Sequence, residues 1–157
     1  MSVTNGYDAE VASKIVARFD AKPELLIQIL RGVVERFGYV PEAAVRQLAD
    51  ELNLSRADVH GVVSYYHDFR TEPPGKHIVK ICQAEACQAM GSRELTAHAE
   101  DALGIRMHGS NDDITLEPVY CLGNCACSPA IMIDERTHGR VNSQRFDELI
   151  GGLEADD

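Results

Sequence analysis

Through roughly the first seventy residues the apolar positions fall at the helical period. Residues 8–19 place Val11, Ile15, Val16 and Phe19 on one side, and residues 23–37 place Leu26, Leu30, Val33, Val34 and Phe37. Gly38 and Pro41 break the pattern, with Pro41 expected in a first helical turn, where proline is tolerated. Val45, Leu48, Ala49 and Leu52 make a third stripe. Ser55 with Asp58 has the form of a capping box, opening a fourth helix with the stripe Val59, Val62, Val63 and Tyr66. Four short amphipathic helices of this kind must bury their faces against one another or a neighbour.

The pattern changes after Thr71-Glu-Pro-Pro-Gly-Lys76, whose two prolines and glycine stop a helix and favour an extended connection. His77–Cys82 reads as a strand ending on Cys82. Gly91 and Ser92 introduce a helix with Leu95, Ala99, Ala102 and Leu103 inward and Ser92 as its N-cap. Ser110–Asp113 reads as a turn. Ile114–Cys121 reads as a second strand, in which Pro118 indicates an edge position or a bulge. Ala130–Ile133 is a short apolar strand, followed by a turn at His138–Gly139, a brief strand at Arg140–Val141 and a helix over 143–153 carrying Phe146, Leu149, Ile150 and Leu153. The expected organisation is a helical bundle over 1–71, a linker over 72–76 and an α/β layer over 77–157.

Composition narrows the function classes. An apolar fraction of 45% with 25% charged residues is ordinary for a globular chain, and 157 residues suffice for two small domains. A net charge of −10 disfavours nucleic acid and anionic membranes as partners. No run of 18 apolar residues is present, so no membrane insertion is expected. The start Met1–Glu10 has neither signal-peptide nor mitochondrial-presequence character, which points to the cytoplasm. Five cysteines in a reducing compartment call for metal or catalysis before disulfides.

Four of them fall as Cys82-x4-Cys87 and Cys121-x3-Cys125, and none forms a C-x-x-C. Structural zinc, dithiol redox centres and c-type haem attachment all lean on C-x-x-C. Two separated pairs suit a [2Fe–2S] cluster, in which each pair of thiolates chelates one iron. The intervening loops give room to curl round a metal and bring backbone N–H groups to the sulfurs, with Gly91 and Gly123 expected to allow close backbone approach. Zinc held by four thiolates, thiol–disulfide redox and buried unligated cysteines are the rival readings. A Rieske-type centre has poor support, because no histidine lies within two residues of any cysteine; His60 and His67 receive no role. Cys127 reads as a small apolar residue shielding the centre, as a substitute ligand or as a reactive thiol, and it stays outside the ligand set.

Cys82-Gln-Ala-Glu-Ala-Cys87-Gln-Ala-Met-Gly-Ser92, Val119-Tyr-Cys-Leu-Gly-Asn-Cys125 and Ser128-Pro-Ala-Ile-Met-Ile133 resemble the thioredoxin-like [2Fe–2S] ferredoxin subunit of NADH-linked dehydrogenases. In the helical half, Phe37-Gly-Tyr-Val-Pro41 and Val59-His-Gly-Val-Val-Ser-Tyr-Tyr66 resemble that family's N-terminal bundle, so the likeness covers roughly residues 20 to 153. The family includes the small flavoprotein-associated subunit of respiratory complex I, its counterpart in NAD-reducing hydrogenases and the gamma subunit of soluble NAD-dependent molybdenum formate dehydrogenases. The resemblance implies a helical bundle followed by a thioredoxin-like domain, with cluster ligands at Cys82, Cys87, Cys121 and Cys125 and none at Cys127. The short chain and the wording around Cys82–Gly91 most resemble the formate dehydrogenase gamma subunit.

No G-x-G-x-x-G or Walker motif is present, and no catalytic constellation stands outside the cysteines. The expected role is therefore that of a one-electron carrier. The resemblance places flavin and NAD in a neighbouring subunit and molybdenum in a large catalytic one. All-cysteine ligation implies a low potential, near the roughly −400 mV of plant-type ferredoxins. Tyr65, Tyr66 and Phe69 are candidates for a docking surface or for contacts within the chain. A zinc-stabilised scaffold subunit and a free-standing ferredoxin are the alternatives.

Overall fold

A computed structural model describes residues 6–153. The chain divides between Pro73 and Pro74 into two compact units, each with its own apolar core.

The first unit is built from α1 (Ala9–Ala17), α2 (Leu26–Phe37), α3 (Glu42–Leu52) and α4 (Arg56–Tyr65). Each helix has a chemical start or stop. Asp8 caps α1 by accepting from the N–H groups of Glu10 and Val11 at 2.9 and 3.2 Å. A single 3-10 turn, Pro23–Leu25, leads into α2, which stops where Gly38 turns left-handed at φ 83°. The Ser55–Asp58 box at the start of α4 is complete in both directions, at 3.1 Å each way. Pro41 lies one residue outside the expected first turn, at the N-cap of α3 with extended ψ. The stripes converge on a core that includes Ile15, Leu30, Val33, Phe37, Leu48, Val59 and Val63. Ile29, absent from the stripe read in the sequence, is fully buried, whereas Tyr66 leaves the helix and is 41% exposed. The helix ends at Tyr65, so the fourth stripe loses its last member.

The Asp58 carboxyl is held below the usual carboxylate range, first by the Ser55 hydroxyl and then by the Ser55 backbone N–H. A lowered folded-state pKa means that the box stabilises the bundle above the ordinary carboxylate pKa and loses that contribution as pH falls through the folded value. Asp58→Asn should therefore lower the urea midpoint at pH 7, and the gap to wild type should narrow toward pH 3.

The second unit holds β1 (His77–Cys82), α5 (Glu85–Ala89), α6 (Ser92–Leu103), β2 (Ile114–Val119), β3 (Ile131–Ile133), β4 (Arg136–His138) and α7 (Ser143–Leu153). Its sheet runs β2-β1-β3-β4, with β1 and β2 parallel and the other neighbours antiparallel. Pro118 sits on β2, an edge strand, where its missing N–H costs no ladder bond. Val79, Ile81, Leu116, Ile131, Leu95 and Phe146 form the core. His98 of α6 meets Phe146 edge-on at 6.1 Å and hydrogen-bonds Asp147 at 2.7 Å, tying α6 to α7.

Several local expectations shift. The N-cap of α6 is Gly91 at φ 99°, and Ser92 is the first helical residue, its hydroxyl turned to the Cys82 carbonyl. Ala102 is exposed, and β2 ends at Val119, two residues before Cys121. The last hairpin turns at Asp134–Glu135, with β4 at Arg136–His138 in place of a strand at Arg140–Val141. Asp134 adopts φ 52°, steadied by its carboxylate, which accepts from the Ile78 N–H and pairs with His77, both at 2.9 Å.

Candidate metal centre

Parallel β1 and β2 end side by side, with Cys82 opposite Val119 in register. Both cysteine-bearing segments leave the sheet from this end. Cys82 is the last residue of β1 and Cys87 lies in α5, a short helix that the sequence pattern did not reveal because five residues carry no period. Cys121 follows β2, and Cys125 begins a 3-10 turn, Cys125–Cys127. Cys82 and Cys87 are each only 2% exposed and pack with Ala130, Ala84, Val119 and Leu122, while Cys121 and Cys125 are exposed. The site thus has an apolar inner wall and a solvent-facing side.

The four thiols are arranged as two interacting pairs. Cys82 and Cys87 each perturb the other's ionisation, Cys121 raises that of Cys125, and Cys87 reaches Cys125 as well. Among the described residues no three His, Cys, Asp or Glu side chains are grouped to hold a single metal ion. None of the five cysteines forms a disulfide.

The electrostatics follow from this crowding. Burial pushes the Cys82 thiol up and the Cys87 charge adds to it, against hydrogen bonds from the Ala84 and Leu122 backbone. At Cys87 burial is the largest influence, but Ser128, the Ala130 backbone and Cys82 outweigh it and hold the thiol below its usual value. Cys125 is raised by its hydrogen bond and charge repulsion with Cys121, then by burial and by Cys87. Neighbouring thiolates oppose one another's ionisation, so a full set of four calls for compensating cationic charge. Backbone donors already face the sulfurs: the Gly123 N–H points to Cys121 Sγ at 3.3 Å.

Gly91 and Gly123 serve differently from the expectation of close approach. A Cβ on Gly123 would meet nothing within 4 Å, and one on Gly91 only Glu94 Oε2 at 3.6 Å; both residues matter for their positive φ, 99° at Gly91 and 72° at Gly123. The close approach is at Gly139, where a Cβ would lie 2.7 Å from Cys127 Cβ, 2.7 Å from Asn124 Nδ2 and 2.9 Å from the Cys127 carbonyl oxygen. Cys127 is half-buried against that glycine, and its carbonyl accepts from the Arg140 N–H at 2.6 Å.

Comparison with known proteins gives the same direction. The profile of the thioredoxin-like [2Fe-2S] ferredoxin family matches residues 12–154. The E subunit of NADH-quinone oxidoreductase from Pseudomonas aeruginosa is 34% identical over 126 residues, spanning 79% of this chain and 76% of that protein; its Escherichia coli counterpart gives the same figures. A second E-type NADH-quinone oxidoreductase protein, from Rhizobium meliloti, is 29% identical over 141 residues, 88% of this chain and 84% of that one. An NAD+-reducing [NiFe]-hydrogenase in its air-oxidized state shares the fold at a TM-score of 0.70 and 22% identity, over 84% of this chain and 23% of the hydrogenase chain.

A two-iron cluster fits the residues present. Four thiols in two pairs, buried on one side and supplied with backbone donors, form the donor set such a cluster takes. Among the described residues no helix is long and apolar enough to cross a membrane.

Proposed function

Because the chain belongs to the thioredoxin-like [2Fe–2S] ferredoxin family, whose [2Fe–2S] cluster is its cofactor, we propose that it is the electron-transfer subunit of a multisubunit NAD-dependent dehydrogenase, with Cys82, Cys87, Cys121 and Cys125 as the ligands. One observation carries the reading: the paired thiols at the shared end of β1 and β2. When bound, the cluster supplies a one-electron couple of low potential. The chain's own residues hold it, shield one side with Ala130, Val119 and Leu122, and offer N–H donors that favour added negative charge at sulfur. The exposed Cys121–Cys125 side is the short route for an electron. Five unbridged thiols suit a cytoplasmic setting.

In this reading residues 1–71 dock to a flavin- and NAD-binding subunit, 72–76 link, and 77–157 carry the redox centre. Tyr65, 75% exposed, stacks edge-on with Tyr66 at 5.0 Å, and Tyr66 meets Phe69 at 5.7 Å, an aromatic patch of the kind enriched at interfaces. Tyr65→Ala with Tyr66→Ala should weaken binding to the flavin-bearing partner by at least about tenfold, read by pull-down titration, with the visible spectrum unchanged. Unchanged binding removes the patch from the docking surface.

The finer assignment is the gamma subunit of a molybdenum formate dehydrogenase, supported by the wording of residues 82–91. Affinity purification of the tagged chain from its native host tests it. A co-purifying complex with molybdenum and formate-dependent NAD+ reduction supports the assignment. A complex that oxidises NADH with quinone and contains no molybdenum, or one with hydrogenase activity, redirects it.

A further inference from the structure

We propose that the Ser128 hydroxyl is a movable hydrogen-bond donor that joins the two cysteine pairs and raises the potential of the centre they hold. The inference rests on the ligand assignment above. Ser128 is buried, 8% exposed, beside the still more buried Cys87. Its Oγ lies 3.4 Å from Cys87 Sγ and 2.8 Å from the Cys125 carbonyl oxygen. One side chain therefore contacts a ligand sulfur of the first pair and the backbone of a ligand of the second.

With thiols, the order of donation is set. The Cys87 S–H donates to Ser128 Oγ, and the Ser128 O–H donates to the Cys125 carbonyl. A metal takes a thiolate, which has no proton to give. If the hydroxyl kept its orientation, its oxygen lone pairs would face a negative sulfur in a poorly hydrated pocket, an unfavourable contact. A serine hydroxyl has one proton and rotates freely about its C–O bond. Turning it toward Cys87 converts the repulsion into an O–H···S bond and releases the Cys125 carbonyl.

The sulfur and the carbonyl thus compete for one proton, and charge at sulfur decides between them. Added electron density makes the sulfur the better acceptor, so the hydroxyl favours the reduced state more than the oxidised one. No bond breaks and no proton leaves the site. The Gly123 N–H at Cys121 is fixed by the chain path, whereas Ser128 donates from a side chain that substitution can remove.

The test uses the purified full-length chain loaded with iron and sulfide, as wild type, Ser128→Ala and Ser128→Thr. Ser128 lines a groove of about 530 Å³ with Met90, Pro129 and Arg140, and threonine keeps the hydroxyl there. Iron and sulfide content is measured first, then the potential by a titration followed through the electron-paramagnetic signal. Ser128→Ala should keep wild-type iron and sulfide while its equilibrium constant for reduction falls about tenfold, equal to 59 mV for a one-electron couple. Ser128→Thr should return the potential toward wild type. A fully loaded Ser128→Ala at unchanged potential overturns the proposal. If the alanine variant does not load, threonine decides: loading near the wild-type potential supports the hydroxyl, while failure to load or a shifted potential overturns it in favour of a steric role. A wild-type chain that takes up no iron and sulfide overturns the ligand assignment, and this proposal with it.

Discussion

Serine at Cys82, Cys87, Cys121 or Cys125, one position at a time, abolishes or heavily alters the cluster, while Cys127→Ser retains near-normal iron and sulfide. The expectation follows from where the sulfurs lie. The four form two electrostatically coupled pairs linked through Cys87 and Cys125, and each pair has the right number of donors for one iron. Serine at Cys82 or Cys87 carries a second cost, because it buries a hydroxyl in a wall otherwise made of Ala130, Ala84, Val119 and Leu122. Cys127 faces Gly139 and holds its turn through its backbone, with its N–H on the Asn124 carbonyl at 3.0 Å and its carbonyl on the Arg140 N–H. Its sulfur can be lost without disturbing those bonds. Iron and acid-labile sulfide assays on the five variants check this; cluster loss in Cys127→Ser with retention in Cys125→Ser would exchange the two assignments.

The second large effect is expected far from any ligand in sequence. Gly139→Ala places a Cβ within 3 Å of Cys127 Cβ, the Cys127 carbonyl oxygen and Asn124 Nδ2. Two of these belong to the backbone or its first side-chain atom and cannot swing away. Relief therefore has to move the Asn124–Cys127 turn, which carries Cys125. Overpacking of this kind costs about 1–3 kcal/mol. Gly139→Ala should lower the urea midpoint and leave much of the purified protein without iron. Gly61→Ala in α4 is the control, since its Cβ meets nothing within 4 Å and an exposed helical alanine should gain roughly 0.5–1 kcal/mol. Full iron content in Gly139→Ala would show that the turn yields without cost to the site.

These two expectations also show what the sequence could and could not reveal. Features carried by local chemistry were legible: the Ser55–Asp58 box, the stop at Gly38, β1 ending on Cys82, the edge position of Pro118 and α7 over Ser143–Leu153. A helical bundle followed by an α/β unit was likewise legible, because stripe and strand periods differ sharply across Thr71–Lys76, and the thioredoxin-like character of that unit followed from the family resemblance. Short elements escaped. The five residues of α5 show no period, and the three of β4 are polar, so the sequence pattern sets the hairpin four residues late. Asp134-Glu135 was the available turn signal, since aspartate tolerates positive φ better than most residues.

At the site, spacing indicated paired thiols but not their surroundings. Ser128 opens one of the motifs that carry the family resemblance, but the sequence gives it no role: its bond to the Cys125 carbonyl is local, three residues back, while its contact with Cys87 spans 41 residues and arises only in the folded unit. Gly139 carried no sequence signal beyond being a glycine near a turn, because the atoms it must avoid lie twelve or more residues earlier. Close approach is a tertiary property, and tertiary properties of single residues are what pattern reading misses.

The most direct test of the central claim is metal and sulfide analysis of the purified wild-type chain, with its visible and electron-paramagnetic spectra before and after dithionite. The expected result is two irons and two sulfides per chain, visible absorption that bleaches on reduction, and a signal from one unpaired electron in the reduced protein alone. A colourless chain containing about one zinc, without sulfide and without a signal after dithionite, would contradict the claim.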